Sequence, residues 1–187
     1  MCGRFSVNRH QVEQWVQTHL LTGFACDDNQ DLCPSQPVST LVLGDSGWQQ
    51  QDTLWGIKPK WANKLIINAQ SETVDTKATF KSAFNRRRCI VPFSAWYEWQ
   101  SNMTKKQKYL FRPLHQRPLF MAGICYQAAD GGLPLLVTLT TAPTVQCEQY
   151  HKRMPLLIDS EQLHQWFKVK NCTMLRQKQE TFDIQLS

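Results

Sequence analysis

Between Arg88 and Thr141, five strand-like segments follow one another with no helical stretch between them. They are Arg88–Val91, Ala95–Trp99, Tyr109–Arg112, Leu119–Tyr126 and Leu135–Thr141. Parallel neighbours need a long crossover, usually a helix, whereas antiparallel ones need only a turn. The turn signal Asp130-Gly131-Gly132 supplies one such connection. Strands adjoining strands, with helices at intervals, predict an α+β fold: one domain over residues 1–187, built on a curved, mainly antiparallel, barrel-like sheet with peripheral helices. A doubly wound parallel fold lacks its βαβ alternation here, and no glycine-rich phosphate loop is present.

Flanking segments fit that frame. Asn8 is placed to cap a helix carrying Val12, Trp15, Val16 and Leu20 on one face, with Gly23 as its stop. Val38–Leu43 and Trp48–Trp55 around Gly44-Asp45-Ser46-Gly47 read as a hairpin. A second helix is expected over Thr76–Arg86 with Phe80, Ala83 and Phe84 inward. Met154–Ile158 reads as a short strand, and Asp159 or Ser160 as the cap of a helix bearing Leu163, Trp166 and Phe167.

Composition narrows the function. The chain has 187 residues, 42% of them hydrophobic, and a net charge of +6. That excess permits a polyanionic partner without demanding one. No apolar run reaches the roughly 18 residues of a membrane span, and MCGRFSVNRH is no secretory leader. A cytoplasmic or nucleoid-associated protein, with no membrane partner, is therefore expected. The seven cysteines form no CxxC pair, so neither a disulfide framework nor a metal site is expected. Cys89 and Cys125 lie in apolar runs and read as small buried hydrophobes.

Cys2 is different, being one residue from the chain start. Loss of Met1 would expose a free α-amine and a thiol on one residue. Such a 1,2-aminothiol condenses with aldehydes: the amine forms an imine and the thiol closes a thiazolidine. The amine and thiol titrate at about 7.7–8.0 and 8.5, so both nucleophiles are available near neutrality. In an arbitrary protein such a cysteine simply follows the initiator.

Other residues carry chemistry in the same conditional way. Arg4 shares an extended face with Cys2 and could grip a phosphate. Asn68 ends an apolar run and could orient a substrate oxygen or the Cys2 amine, or bond to its own turn. In Trp96-Tyr97-Glu98-Trp99, alternation puts Glu98 on the Trp96 face; facing inward, its pKa would rise and suit proton transfer. His151 could move protons near neutrality, and Arg153, two residues on, could hold a phosphate. Lys58, Lys60, Trp61 and Lys64, with the Arg86–Arg88 run, interleave cations and rings as single-strand binders do; each could equally be a solvated face.

Taken in order, these segments resemble the SOS-response-associated peptidase (SRAP) family, whose members cross-link to abasic DNA. The matching residues are Met1-Cys2-Gly3-Arg4-Phe5, Pro34 with Gln36-Pro37, Trp55-Gly56-Ile57 with Pro59 and Trp61, and Asn68-Ala69 with Glu72-Thr73. They continue through Arg88-Cys89-Ile90-Val91-Pro92, Trp96-Tyr97-Glu98-Trp99, and His151 with Arg153-Met154-Pro155. The resemblance implies catalytic roles for Cys2 as nucleophile, Asn68 in positioning its amine, and Glu98 and His151 in proton transfer. It implies DNA contacts for Arg4, Pro34, Trp61 and Arg153. No cofactor and no metal are implied, and a monomer is expected. The partner would be single-stranded DNA containing abasic sites, trapped as a thiazolidine after loss of Met1, with weak lyase activity if ring closure fails. Gln70 stands where the family often has arginine, and Ala95 where it usually has glycine. Two other functions stay open at this point: a cysteine peptidase acting on other proteins, and a non-covalent single-stranded DNA-binding module.

Overall fold

The computed structural model describes residues 3–101, 106–115, 117–175 and 181–187. Cys2 and Met1 lie outside the described residues. The strands are β1 (Phe5–Val7), β2 (Asn29–Leu32), β3 (Pro37–Gly44), β4 (Gly47–Trp55), β5 (Asn68–Gln70), β6 (Arg88–Phe93), β7 (Ala95–Ser101), β8 (Lys106–Pro113), β9 (Leu119–Tyr126), β10 (Leu135–Thr141), β11 (Met154–Pro155) and β12 (Phe182–Leu186). The helices are α1 (Arg9–Leu20), α2 (Ala78–Arg86) and the single turns α3 (Val145–Glu148) and α4 (Leu163–Trp166).

The strands form two sheets. One runs β12-β8-β7-β1-β2, antiparallel throughout. The other runs β11-β10-β4-β3-β6-β9, and β9 pairs back onto β10, so it closes into a ring. This is the expected α+β, barrel-like architecture, with two local parallel pairings. β10 lies parallel to β4 at Leu135 and Leu136, then parallel to β5 from Thr138 to Thr140. Its last residues, Thr140 and Thr141, also take β11 antiparallel. One strand end thus carries β5 on one edge and β11 on the other.

The sheets meet through β1. Phe5, fully buried, packs its ring 5.0 Å from Trp55 of β4 and 5.7 Å from Phe93 of β6. Removing three aromatic rings from water at one seam contributes several kcal/mol at about 1.5–3 kcal/mol per large apolar side chain. That fixes the amino-terminal strand inside its sheet, between β7 and the edge strand β2.

Local differences from the sequence expectation have identifiable causes. Asn8 does cap α1, accepting from the Gln11 N–H at 3.0 Å. The helix ends at Leu20, with Leu21 left-handed at φ 51°, rather than at Gly23. The second helix starts at Ala78 because the Thr76 hydroxyl and N–H both turn back to the Thr73 carbonyl. The hairpin turns over Asp45-Ser46, with Gly47 at φ 107° supplying the conformation other residues avoid. Of the apolar stretch from Met154, only two residues form a strand. The rest fills the gap between β10 and β9: Leu156 N–H donates to Leu139, and Ala122 N–H donates to Leu156. Asp159 caps the following turn by accepting from the Glu161 N–H.

Candidate active site

β7 carries Trp96 and Glu98 on its inward face. The ladder to β8 sets Phe111 opposite Trp96 and Tyr109 opposite Glu98. Trp96 and Phe111 stack at 4.8 Å, and the Tyr150 ring closes over Tyr109 and Phe111 at 4.7 and 5.4 Å. Glu98, 2% exposed, therefore sits at the end of an aromatic wall. Removal from water disfavours its anion and pushes its pKa up to about 7.

His151 is delivered to that carboxyl by the α3 turn. The His151 N–H donates to the Cys147 carbonyl at 3.2 Å. Gln100, two residues beyond Glu98 on the same face, donates its amide to the Gln149 carbonyl at 2.6 Å and ties the segment to the sheet. His151 Nδ1 then lies 3.9 Å from Glu98 Oε2. Burial, assisted by the nearby Arg153 charge, draws the imidazole pKa below its usual value. A raised carboxyl beside a lowered imidazole favours the neutral pair over an ion pair, and 3.9 Å is beyond hydrogen-bond length. The arrangement sets a buried carboxyl that titrates near neutrality beside an imidazole made less basic than usual. Nδ1 lies 3.0 Å from both the N–H and the carbonyl of Arg153, so either neutral tautomer finds a backbone partner.

Asn68 and Arg153 flank β10 on opposite edges. The Thr138 hydroxyl donates to Asn68 Oδ1 at 2.5 Å, which orients the amide. Arg153 Nη2 donates to the Thr140 carbonyl at 2.6 Å, one inward position further along β10. Its fork also grips Glu72 at 2.8 and 2.7 Å. That bidentate pair holds the Glu72 carboxylate below its usual pKa.

The register connects the amino-terminal strand to this centre. Phe5 pairs with Trp96, and the Tyr97 N–H donates to the Arg4 carbonyl at 3.0 Å. Counted one step on, Gly3 falls opposite Glu98. Arg4 pairs with Asp31 at 2.6 Å, and Lys108 meets the same carboxylate at 3.3 Å while lying 3.9 Å over the Tyr97 ring. Trp61 is 68% exposed on the 58–64 loop, and Pro34 is half-buried in the turn before β3. No distance ties these two to Glu98.

The SOS response associated peptidase (SRAP) family profile matches residues 1–184. This chain belongs to the SRAP family. Among its relatives are the abasic site processing proteins YoqW of Bacillus subtilis and YedK of Escherichia coli. YoqW is 28% identical over 91% of this chain and 82% of its own length; YedK is 27% identical over 90% and 80%. The abasic site processing protein HMCES of Xenopus tropicalis is 29% identical over 58% of this chain and 41% of its own. A solved structure from Bordetella bronchiseptica superposes with TM-score 0.81 at 19% identity, covering 100% of this chain and 99% of that one; another, from Bacteroides thetaiotaomicron, gives 0.77 at 17%, covering 99% and 91%. These two likenesses concern the fold.

In this SRAP chain, several site residues escaped sequence reasoning. Thr138, Gln100 and Tyr150 enter only through the β10–β5 pairing and the α3 turn, both non-local. Lys108 could have been found from the alternation of Lys106, Lys108 and Leu110, given the β7–β8 register. Asp31 carried no signal beyond its charge, and Glu72 entered only as part of the Asn68-Ala69 and Glu72-Thr73 match, with no role attached. Among the described residues, no group of three or more His, Cys, Asp or Glu could hold a metal ion, and no helix is long and apolar enough to cross a membrane.

Proposed function

We propose that this chain captures abasic sites in single-stranded DNA covalently through Cys2, once Met1 is gone. The observation that carries this reading is Glu98: a buried carboxyl poised near neutrality, 3.9 Å from His151, on the strand that pairs with the amino-terminal strand. An acid/base pair beside the chain's own amino end is what amine–aldehyde chemistry requires. The names of the relatives, abasic site processing proteins, support an abasic site as the substrate, and its ring-opened deoxyribose is an aldehyde.

The Cys2 amine adds to the sugar's aldehyde carbon, and Glu98 in its acid form protonates the departing hydroxyl, which leaves as water. The resulting imine is then attacked by the Cys2 sulfur. A carbon–sulfur bond forms, the C=N electrons move to nitrogen, and the thiol proton ends there, closing the thiazolidine. His151 relays protons to and from the sugar. If closure fails, loss of a proton beside the imine carbon expels the 3′-phosphate, a weak lyase reaction. Hydrolysis of the Met1–Cys2 bond is the peptidase step assigned to the same residues. Asn68 positions the amine, Arg4 and Arg153 hold phosphates, and Trp61 stacks on a base with Pro34 beside the strand.

Protein whose intact mass confirms loss of Met1 is incubated with abasic single-stranded DNA and run on a denaturing gel. A retarded band is expected, absent in Cys2→Ala and after borohydride-free incubation with undamaged DNA. A parent protein that gives no band ends the reading; binding without a covalent species would favour a lesion-blind DNA-binding module instead.

A further inference from the structure

β10 has a second end. Pro134, just before it, lines a cavity of about 510 Å³, within the roughly 300–1,000 Å³ range of small-molecule sites. Thr140, which holds Arg153, lies six residues further on, roughly 20 Å along an extended strand. The cavity is therefore separate from the Glu98–His151 centre.

One part of its wall is polar, carrying Arg86, Arg87, Asn85, Gln51 and Gln127 with the Tyr126 ring beside them, and the rest is mainly apolar, including Val42, Leu43 and Phe167. Among its described lining residues there is no carboxylate. The Arg86–Arg88 run divides here. Arg88 turns inward, donating to the Phe84 and Trp166 carbonyls at 2.6 Å each. The end of α2 would present negative carbonyls to the cavity, but the Arg87 N–H takes the Ala83 carbonyl at 2.7 Å and Arg88 takes Phe84. Arg86 and Arg87 remain exposed at the cavity. Arg87 is steadied by Gln127 at 3.2 Å, and Tyr126 is held by its hydroxyl donating to the Thr79 carbonyl at 2.8 Å.

We infer that this cavity is a second phosphate-binding site, taking the phosphate ester of a nucleic-acid strand or of a free nucleotide-sized compound. Two adjacent planar forks and three amides offer donors to a tetrahedral anion from several directions. This goes beyond the capture reaction: neither Cys2 nor a lesion takes part, so its test stands apart from that reading.

The full chain is titrated with inorganic pyrophosphate by amide NMR, and with a lesion-free oligothymidylate, long enough to span both ends of β10, by anisotropy at low salt. Three proteins are compared: the parent, Arg86→Gln/Arg87→Gln, and Lys77→Gln/Lys81→Gln, which removes equal charge from the same segment outside the cavity. Pyrophosphate should shift the Asn85, Gln51 and Gln127 side-chain resonances saturably in the parent and the lysine variant, but not in the arginine variant. Oligothymidylate affinity should fall about tenfold in the arginine variant and less than about twofold in the lysine variant. Loss of only the pyrophosphate response assigns the site to free phosphate compounds; loss of only the strand affinity assigns it to DNA. Unmoved resonances together with equal oligothymidylate binding by the two double variants would overturn the inference.

Discussion

Arg88 and Glu98 are both drawn out of water, and they are treated in opposite ways. Arg88 is half-buried between Phe84 and Trp166, with its guanidinium 4.0 and 5.2 Å from the two rings. Its Nε and Nη1 each donate to a backbone carbonyl. Burial lowers its pKa, but an arginine remains charged, so the charge is fixed and its hydrogen bonds knit α2 to α4. Glu98 is buried on the Trp96 face, opposite Tyr109, and has the titratable His151 3.9 Å away, itself made less basic. Arg88 holds elements together; Glu98 keeps a proton in play. Burial alone marks neither a structural nor a reactive charge: what decides is whether the surroundings lock one protonation state or balance two.

The largest expected effect tests the Glu98 half. Glu98→Gln keeps the shape and removes the titration. Its abasic-DNA capture rate should fall roughly a hundred- to ten-thousand-fold, the span of general acid–base contributions. Stopped-flow or quenched-gel kinetics reads this, and a variant within a few-fold of the parent would remove Glu98 from the chemistry. The same variant should alter stability against pH. The folded carboxyl, at about 7, holds its proton more tightly than the unfolded one near 4.5, so ionisation works against the fold. Stability from this group is full below the unfolded value and is lost as pH rises from about 4.5 to about 7, on the order of 3 kcal/mol. His151, its pKa lowered, runs the other way and loses stability as pH falls. Urea unfolding of parent and Glu98→Gln at about pH 5 and pH 8 separates them: the parent-minus-variant stability should drop at the higher pH.

The Arg88 half predicts a reversed pattern. Arg88→Met keeps the stem but strands two buried carbonyls. It should cost about 3 kcal/mol of stability while leaving the capture rate of folded protein within a few-fold. A rate loss comparable to Glu98→Gln would break the contrast.

The smallest effect sharpens it. The Arg153–Glu72 pair is partly exposed, between those extremes. Glu72→Gln should change stability by less than about 1 kcal/mol and raise affinity for single-stranded DNA roughly two- to fivefold by releasing the Arg153 fork. Weaker binding would mean that Glu72 positions Arg153 rather than competing with a phosphate.

The legible parts of this fold are those where one segment decides alone. The β3–β4 hairpin, Leu119–Tyr126 and Leu135–Thr141 follow from alternation and turn residues, and Asn8 announces its helix. Glu98 was readable because it shares the Trp96 face. What resisted was long-range: β5 lying parallel to β10, β2 closing on β1, and the passage of Leu156 between β10 and β9. Electrostatic partners were the least readable. Arg4 and Arg153 were expected to await phosphates, yet each meets a carboxylate, Asp31 and Glu72, from a distant segment. Nothing in either arginine's neighbourhood along the chain signals that.

The seam at β1 sets an order of events on the ribosome. Ser6 meets Ala95 across a gap of 89 residues. At a synthesis rate of about 5–20 residues per second, the leading strand waits roughly 4–18 seconds for β7 to be made. Through that interval β1 has no β7 edge to pair with, and Glu98 and its acid–base neighbour His151 are not yet part of the chain.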